Sequence, residues 1–463
     1  MSTMDARTRA LLEGPIAPTL LRLAVPNMIV MLAQASAGMI ETWFIGKLGT
    51  QALAGMALVF PVVMLMQMMS AGAIGGGIAS AIARALGARR RDDANALVLH
   101  AIALALMFGV AFTAALLLGG PALYRQMGGT GAALDAALAY SDWVFAGAVV
   151  VWLANSLAAA VRGTGNMNVP AVVNVIGLAV LIPLSPLLIF GWGPVPALGI
   201  AGGAIALLVY YVGSCVAMAA YLWSPRSLLR PSFKGITFRR ELFNDILRVG
   251  IVGAISTIAT NLCIAITTAL AGSFGSEAIA GYGTAARLEY LLVPLVFGLG
   301  GPMVAMVGTC IGAGQRERAL RVTWTGSLIA MAFTEFIGVT AALFPQAWLR
   351  LFGSDPAMID AGTRYLHAVG PAYGFFGLGL ALYFASQGAG KLLWPVMGNL
   401  ARLIAAGFGG WLALHMGGGL TSIFAAQGVA LVLYGLVNAA AVAGGAWFGP
   451  LGRPRSPSAW KAA

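Results

Sequence analysis

Residues 45–55 read IGKLGTQALAG and residues 271–281 read AGSFGSEAIAG, with five identities at an offset of 226. At an offset of 225, LGARRRDDA (86–94) meets IGAGQRERA (311–319), and RGTGNMNVPAVVN (162–174) meets QGAGKLLWPVMGN (387–399). The last pair shares Gly163/Gly388, Gly165/Gly390, Pro170/Pro395 and Asn174/Asn399. Self-similarity held over most of a chain means one structural unit duplicated and fused.

Composition sets the solvent in which that duplication folds. Of the 463 residues 60% are hydrophobic and only 9% charged. Soluble domains carry about 25% charged residues, so this composition belongs in a bilayer. Stretches long enough to cross about 30 Å of hydrocarbon as helices recur along the chain. Twelve are expected, near 19–45, 52–80, 95–119, 137–161, 169–191, 199–223, 246–272, 277–305, 322–344, 361–387, 393–414 and 421–447. The expected fold is an all-α membrane protein of two six-helix lobes, each half having an even number of spans. The lobes are then parallel repeats about a pseudo-twofold axis along the membrane normal, with a site between them as in transporters. The boundaries read as an N-terminal segment (1–18), an N-lobe (19–223), a linker (224–245), a C-lobe (246–447) and a tail (448–463).

Charge gives the orientation. With the N-terminus inside, the inner segments and adjoining helix ends hold 22 of the 27 Lys and Arg, the outer loops only Lys47, Arg125, Arg350 and Arg364, with Arg287 inside a span. That asymmetry places both termini in the cytoplasm. The net charge of +12 is thus a topology signal, because no folded soluble domain carries a basic cluster for nucleic acid. The expected setting is the bacterial inner membrane, without a secretory signal peptide, as a monomer handling small organic compounds. Cys215, Cys263 and Cys310 lie far apart in spans without metal-ligand spacing and read as small apolar residues.

The informative residues are the ionisable ones in lipid. Insertion scales put a carboxylate at mid-bilayer at about 2.5–3.5 kcal/mol, so each needs a reason. Glu41 is the leading candidate. Asn27, Gln34 and Glu41 are spaced by seven, so they stay near one helix face, and Gly38 on that face would leave room beside the carboxylate. The plainer alternative puts Glu41 at the outer interface, neutralised by Lys47. The repeat matches Glu41 with Thr267, so the acid is an addition to a shared scaffold. Arg287 and Glu289, two residues apart, form a local pair or find separate partners; with Asn27 and Tyr290 they are candidates for the substrate cavity. Glu335 reads as a protonated acid facing a neighbouring helix, and Asp142, matching His367, as solvated. Met64 and Met68 belong to a methionine-rich second span, whose flexible side chains suit a pocket taking many shapes, though also a helical core. Pro26, inside the first span, is a candidate hinge.

Taken together, MIETWFIGKLG, ALGARRRDDA, RGTGNMNVP and GTAARLEYLLVPLVFGLG resemble the multidrug and toxic compound extrusion (MATE) transporters over about residues 20–445. Pro26 and the single first-span acid look closest to the bacterial DinF-like branch. The resemblance implies antiport: an organic, often cationic compound leaves as H⁺ or Na⁺ enters, by rocking of two lobes. Glu41 takes the place of the family's first-span acid, and the first span is expected to bend near Pro26. The chain departs from the family in its fifth span, LIPLSPLLIFG, where Leu181 and Ser185 stand at the positions of an Asn and an Asp. The NorM-type acids of the second lobe have no match in spans 7 and 10. Both departures weaken a Na⁺ site, which wants several oxygen ligands. Glu41, Gln34 and Ser185 remain the coupling candidates, with H⁺ favoured over Na⁺ and no cofactor.

No G-x-x-x-x-G-K-[ST] loop is present, so ATP is not the direct fuel. The alternative within transport is a lipid-linked saccharide flippase, whose cavity would need several Arg or Lys. An integral membrane enzyme would need Asp-rich or His motifs at span ends, and the chain has only His100, His367 and His415. The topology has a direct check: a reporter fused after residue 230 is expected to read cytoplasm, and an external reading overturns the orientation.

Overall fold

Every polar backbone group in hydrocarbon must be satisfied within the protein, and the chain meets that demand with helices. The structure, a computed structural model, describes residues 5–234 and 237–448. A short helix α1 (Ala6–Glu13) is capped by Asp5, whose carboxylate accepts from the Arg7 N–H. The first span, α2 (Ile16–Gly46), runs unbroken through Pro26. The second joins α3 (Thr50–Gln67) to α4 (Gly75–Gly87) through a π-helical turn, Met68–Ile74. Then follow α5 (Arg91–Gln126), the bent pair α6 (Gly131–Ala146) and α7 (Ala148–Gly163), α8 (Asn168–Phe190) and α9 (Ile200–Leu222).

The second half repeats this order. Its members are α10 (Arg240–Gly272), α11 (Ser276–Gly312), α12 (Arg316–Leu343), a short α13 (Pro345–Leu349), α14 (Pro356–Val369), α15 (Tyr373–Ala389), α16 (Leu393–His415) and α17 (Leu420–Ala443). Among the described residues ten helices are long and apolar enough to cross a bilayer, and α6–α7 makes an eleventh. α16 has the 23 residues of α8, its repeat counterpart, and completes twelve. Trp143, Trp192, Trp223 and Trp394 are exposed, as suits interfacial anchors.

Packing divides the chain into two compact units, Met1–Thr257 with Val293–Gly326, and Ile258–Leu292 with Ser327–Ala463. The division runs through α10, α11 and α12, not through the linker. In the first unit α4 and the end of α11 touch backbone to backbone. A Cβ on Gly87 would lie 2.1 Å from the Thr309 carbonyl oxygen, and one on Gly312 2.0 Å from that of Arg84. Small residues permit this approach, which is how helices associate in lipid. The first unit also holds a large apolar cluster from α2 to α10 that includes the fully buried Trp152, stacked 5.0 Å from Phe108.

The fourth and tenth spans are both broken, and a neighbouring side chain answers each break. α6 and α7 meet at 50° around Gly147, where Thr113 of α5 donates to the Phe145 carbonyl at 2.6 Å. In the tenth span the 3-10 turn Gly370–Ala372 separates α14 from α15, and the Glu335 carboxylate of α12 accepts the Gly374 N–H at 2.7 Å. Glu335, expected to be a protonated acid facing a neighbour, thus caps the first turn of α15, where an acid also opposes the positive helix end. Replacing Glu335 with Ala should cost about 1–3 kcal/mol by leaving the buried Gly374 N–H without its acceptor, while Gln, which keeps an acceptor oxygen, should cost less. Thermal unfolding in detergent checks this, and an unshifted melting temperature for Glu335→Ala contradicts the capping role.

Candidate functional site

Glu41 lies near the end of α2, and its side chain is 8% exposed. Its carboxylate accepts a hydrogen bond from the Tyr140 hydroxyl of α6 at 3.4 Å. The space beside it comes from α9: a Cβ on Gly203 would stand 3.3 Å from the Glu41 Oε1 and 3.6 Å from both Ile45 and Ile189. Gly38, expected to make that room, is exposed, and a Cβ on it would have no described neighbour within 4 Å. Nor does Lys47 neutralise the acid, for its ammonium sits 3.7 Å above the Trp43 ring. Among the described residues no ion pair reaches Glu41.

Gln34, one helical heptad earlier, donates to Asn174 Oδ1 of α8 at 3.3 Å, and the Tyr210 hydroxyl of α9 donates to the same oxygen. The Asn174 amide donates in turn to the Pro170 carbonyl at 2.7 Å. A second polar group lies between α3, α7 and α9. Asn155 donates to Gln67 at 3.1 Å and to Ser70 at 2.9 Å, and Gln67 donates to Tyr211. Ser70 belongs to the π-helical turn, a distortion frequent at functional sites. Asn27 donates to the Phe297 and Gly298 carbonyls of α11 at 3.3 and 3.1 Å, within the same unit. Ser185 is buried in α8 with its hydroxyl unpartnered, and Leu181, at the other departure from the family pattern, is buried too. Met64 and Met68 are partly exposed, 39% and 38%, while Met56 and Met66 are buried.

The second unit holds a different cluster. Glu289 is not paired with Arg287: its partner is Arg402 of α16 at 3.7 Å, with the Tyr365 hydroxyl of α14 donating to its other oxygen. Arg402 is 2% exposed, 5.5 Å from the Phe376 ring and 6.0 Å from that of Tyr434. Arg287 points elsewhere, exposed, with its guanidinium 5.2 Å from Phe352. The side chain of Tyr290 lies outside the described residues.

The repeat makes the asymmetry concrete. Asn174/Asn399 and Gln34/Thr260 are matched pairs, and Thr260 donates to Asn399 at 3.5 Å as Gln34 does to Asn174. Along α9 and α17, Ala201, Ala206, Leu207 and Tyr210 match Ala425, Ala430, Leu431 and Tyr434 at an offset of 224, which sets Gly203 against Gln427. In one half a large acid meets glycine. In the other, Thr267 meets a large amide and donates to Gln427 at 3.4 Å.

Sequence reasoning missed Tyr140, Tyr211 and Asn155, and read Arg402 only as a base near the inner end of its span. The tyrosines and Asn155 carry no charge to flag them in a span, whereas Arg402, a basic residue inside the predicted span 393–414, was a legible signal.

The MatE family model matches residues 26–187 and 254–412. A protein of Shewanella oneidensis named FAD transporter is 26% identical over 85% of this chain and 87% of its own. The probable multidrug resistance protein NorM of Deinococcus radiodurans is 28% identical over 90% of this chain and 93% of its own. Among solved structures, a MATE protein in the bent conformation superposes with a TM-score of 0.87 at 24% identity, covering 94% of this chain and 96% of that one. The buried pair offers a test of its own. Arg402→Met should cost about 3–5 kcal/mol by leaving Glu289 unpaired, and adding Glu289→Gln should recover much of that. A double-variant cycle on unfolding in detergent measures the coupling, and strictly additive losses contradict the pairing.

Proposed function

The chain belongs to the MatE family, a family of membrane transporters, and on that premise we propose that it is a secondary antiporter exporting amphipathic organic compounds in exchange for protons. The observation that carries the reading is the Glu41 carboxyl, buried beside Ile45, Ile189 and Gly203, with one long hydrogen bond and no paired cation among the described residues. A charge in such surroundings is costly and a protonated carboxyl is not. Gain or loss of one proton therefore changes how α2 packs against α6 and α9. Tyr140 orients the carboxyl, and Gln34 with Asn174 and Tyr210 ties the preceding turns of α2 to α8 and α9.

Protons suit the site better than Na⁺, because a hard cation wants several oxygens and Ser185 supplies a hydroxyl where the family's pattern has a carboxylate. One proton moving down the membrane potential supplies about 2.3 kcal/mol per 100 mV. Alternating access by rocking of two lobes, with Pro26 as hinge and both termini in the cytoplasm, completes the reading.

The partly exposed Met64 and Met68 suit a broad, adaptable pocket. Relatives named for multidrug resistance support that substrate class, and the relative named for FAD favours a second one, a large anionic dinucleotide.

Vesicles holding the purified protein, under separate proton and sodium gradients, test both points. A cationic dye should leave when the proton gradient is imposed without Na⁺, with Glu41→Gln at least about tenfold slower at equal expression. Strict Na⁺ dependence reverses the choice of ion, and wild-type transport in Glu41→Gln removes Glu41 from coupling. An arm loaded with FAD decides between the substrate classes.

A further inference from the structure

The repeat places the loop RRRDDA of the first half against QRERA of the second, and the two ends are used differently. In the first half the loop receives the linker. Asp93 forms an ion pair with Arg239, and the Asn95 side chain accepts the Arg230 N–H at 2.8 Å. In the second half, at an offset of 225, Arg318 stands in place of Asp93 and Arg321 in place of Ala96. An acceptor surface has become a donor surface. Arg318 reaches back to the last turn of α1, donating through Nε to the Leu11 carbonyl at 3.1 Å and through its terminal nitrogen to that of Gly14.

Beside this anchor is a cavity of about 380 Å³ lined by Arg316, Arg318, Arg321, Gln315, Glu317 and Ile16. That volume lies within the roughly 300–1,000 Å³ range of ligand pockets. Among the lining residues there are three arginines and one carboxylate. That acid, Glu317, pairs with Arg321 at 3.2 Å, but the two side chains are 87% and 68% exposed, so solvent screens the pair. Ile16 opens the first span and Arg316 the ninth, which sets the cavity where two spans enter the bilayer.

We propose that this cavity binds a phosphate-bearing anion, held by the forked donors of Arg316 and Arg321 beside Arg318. Guanidinium forks match phosphate oxygens two at a time, and basic pockets between spans take anionic headgroups. Because Arg318 also holds α1, an occupied site steadies the junction of α1, α2 and α12. The ligand is a lipid headgroup or a soluble phosphate, and the same chemistry serves both.

The test follows thermal unfolding of the full chain in an uncharged detergent, at matched ionic strength. The probes are dihexanoylphosphatidic acid, dihexanoylglycerol, which lacks only the phosphate, and sodium phosphate. Phosphatidic acid should raise the melting temperature saturably, and the midpoint should weaken at least about tenfold in Arg316→Gln/Arg321→Gln. Each single variant should weaken it less, which keeps the test readable if the double variant folds poorly. Arg226→Gln, a linker arginine, should behave as wild type. A response to phosphatidic acid alone assigns a headgroup, and an equal response to sodium phosphate assigns a soluble anion. No saturable shift with either anion, an equal shift with dihexanoylglycerol, or a double variant indistinguishable from wild type overturns the site.

Discussion

A polar group in hydrocarbon has no water to fall back on, and that constraint organises this protein. Backbone groups retreat into helices. Where a helix breaks, a neighbour answers: Thr113 at the fourth span, Glu335 at the tenth. Charged side chains obey the same demand. Arg402 and Glu289 meet between α16 and α11 within a ring of aromatics, so neither is left as a lone charge. Glu41 breaks this pattern, since among the described residues its carboxylate has the Tyr140 hydroxyl and no ion pair. A group that only partly meets a general constraint is where function is expected.

The duplication turns that exception into a comparison within one chain. The first-span contact to the fifth-span asparagine recurs in both halves, Gln34 to Asn174 and Thr260 to Asn399. Seven residues further along, the halves diverge. Glu41 fits because Gly203 has no side chain, and Thr267 fits because Gln427 fills the space it leaves. Size is exchanged across the contact.

The same exchange of character occurs at the loops after the second and eighth spans. Asp93 docks a basic linker, while Arg318 docks the carbonyl end of α1. The polarity is inverted but the location is kept, which shows the repeat acting as a frame for peripheral segments as well as for the spans.

Much of the fold was legible because hydropathy and the repeat are properties of residue order: twelve spans, the halves and their counterparts follow from a bilayer's thickness and from self-similarity. Glu41 was legible for a related reason, since a carboxylate in a span is conspicuous by its cost alone. Its surroundings were not. Gly38 shares its helix face, yet Gly203, 162 positions away, makes the room. Arg287 stands two residues from Glu289, yet Arg402 is the partner. Heptad spacing tells which side chains share a face of one helix, and says nothing of which other helix that face meets. By itself, then, the sequence determined the solvent, the spans, the duplication and the odd acids. Only the tertiary structure decided who stands beside each acid, because partners in a helical membrane protein come from different helices brought together by packing.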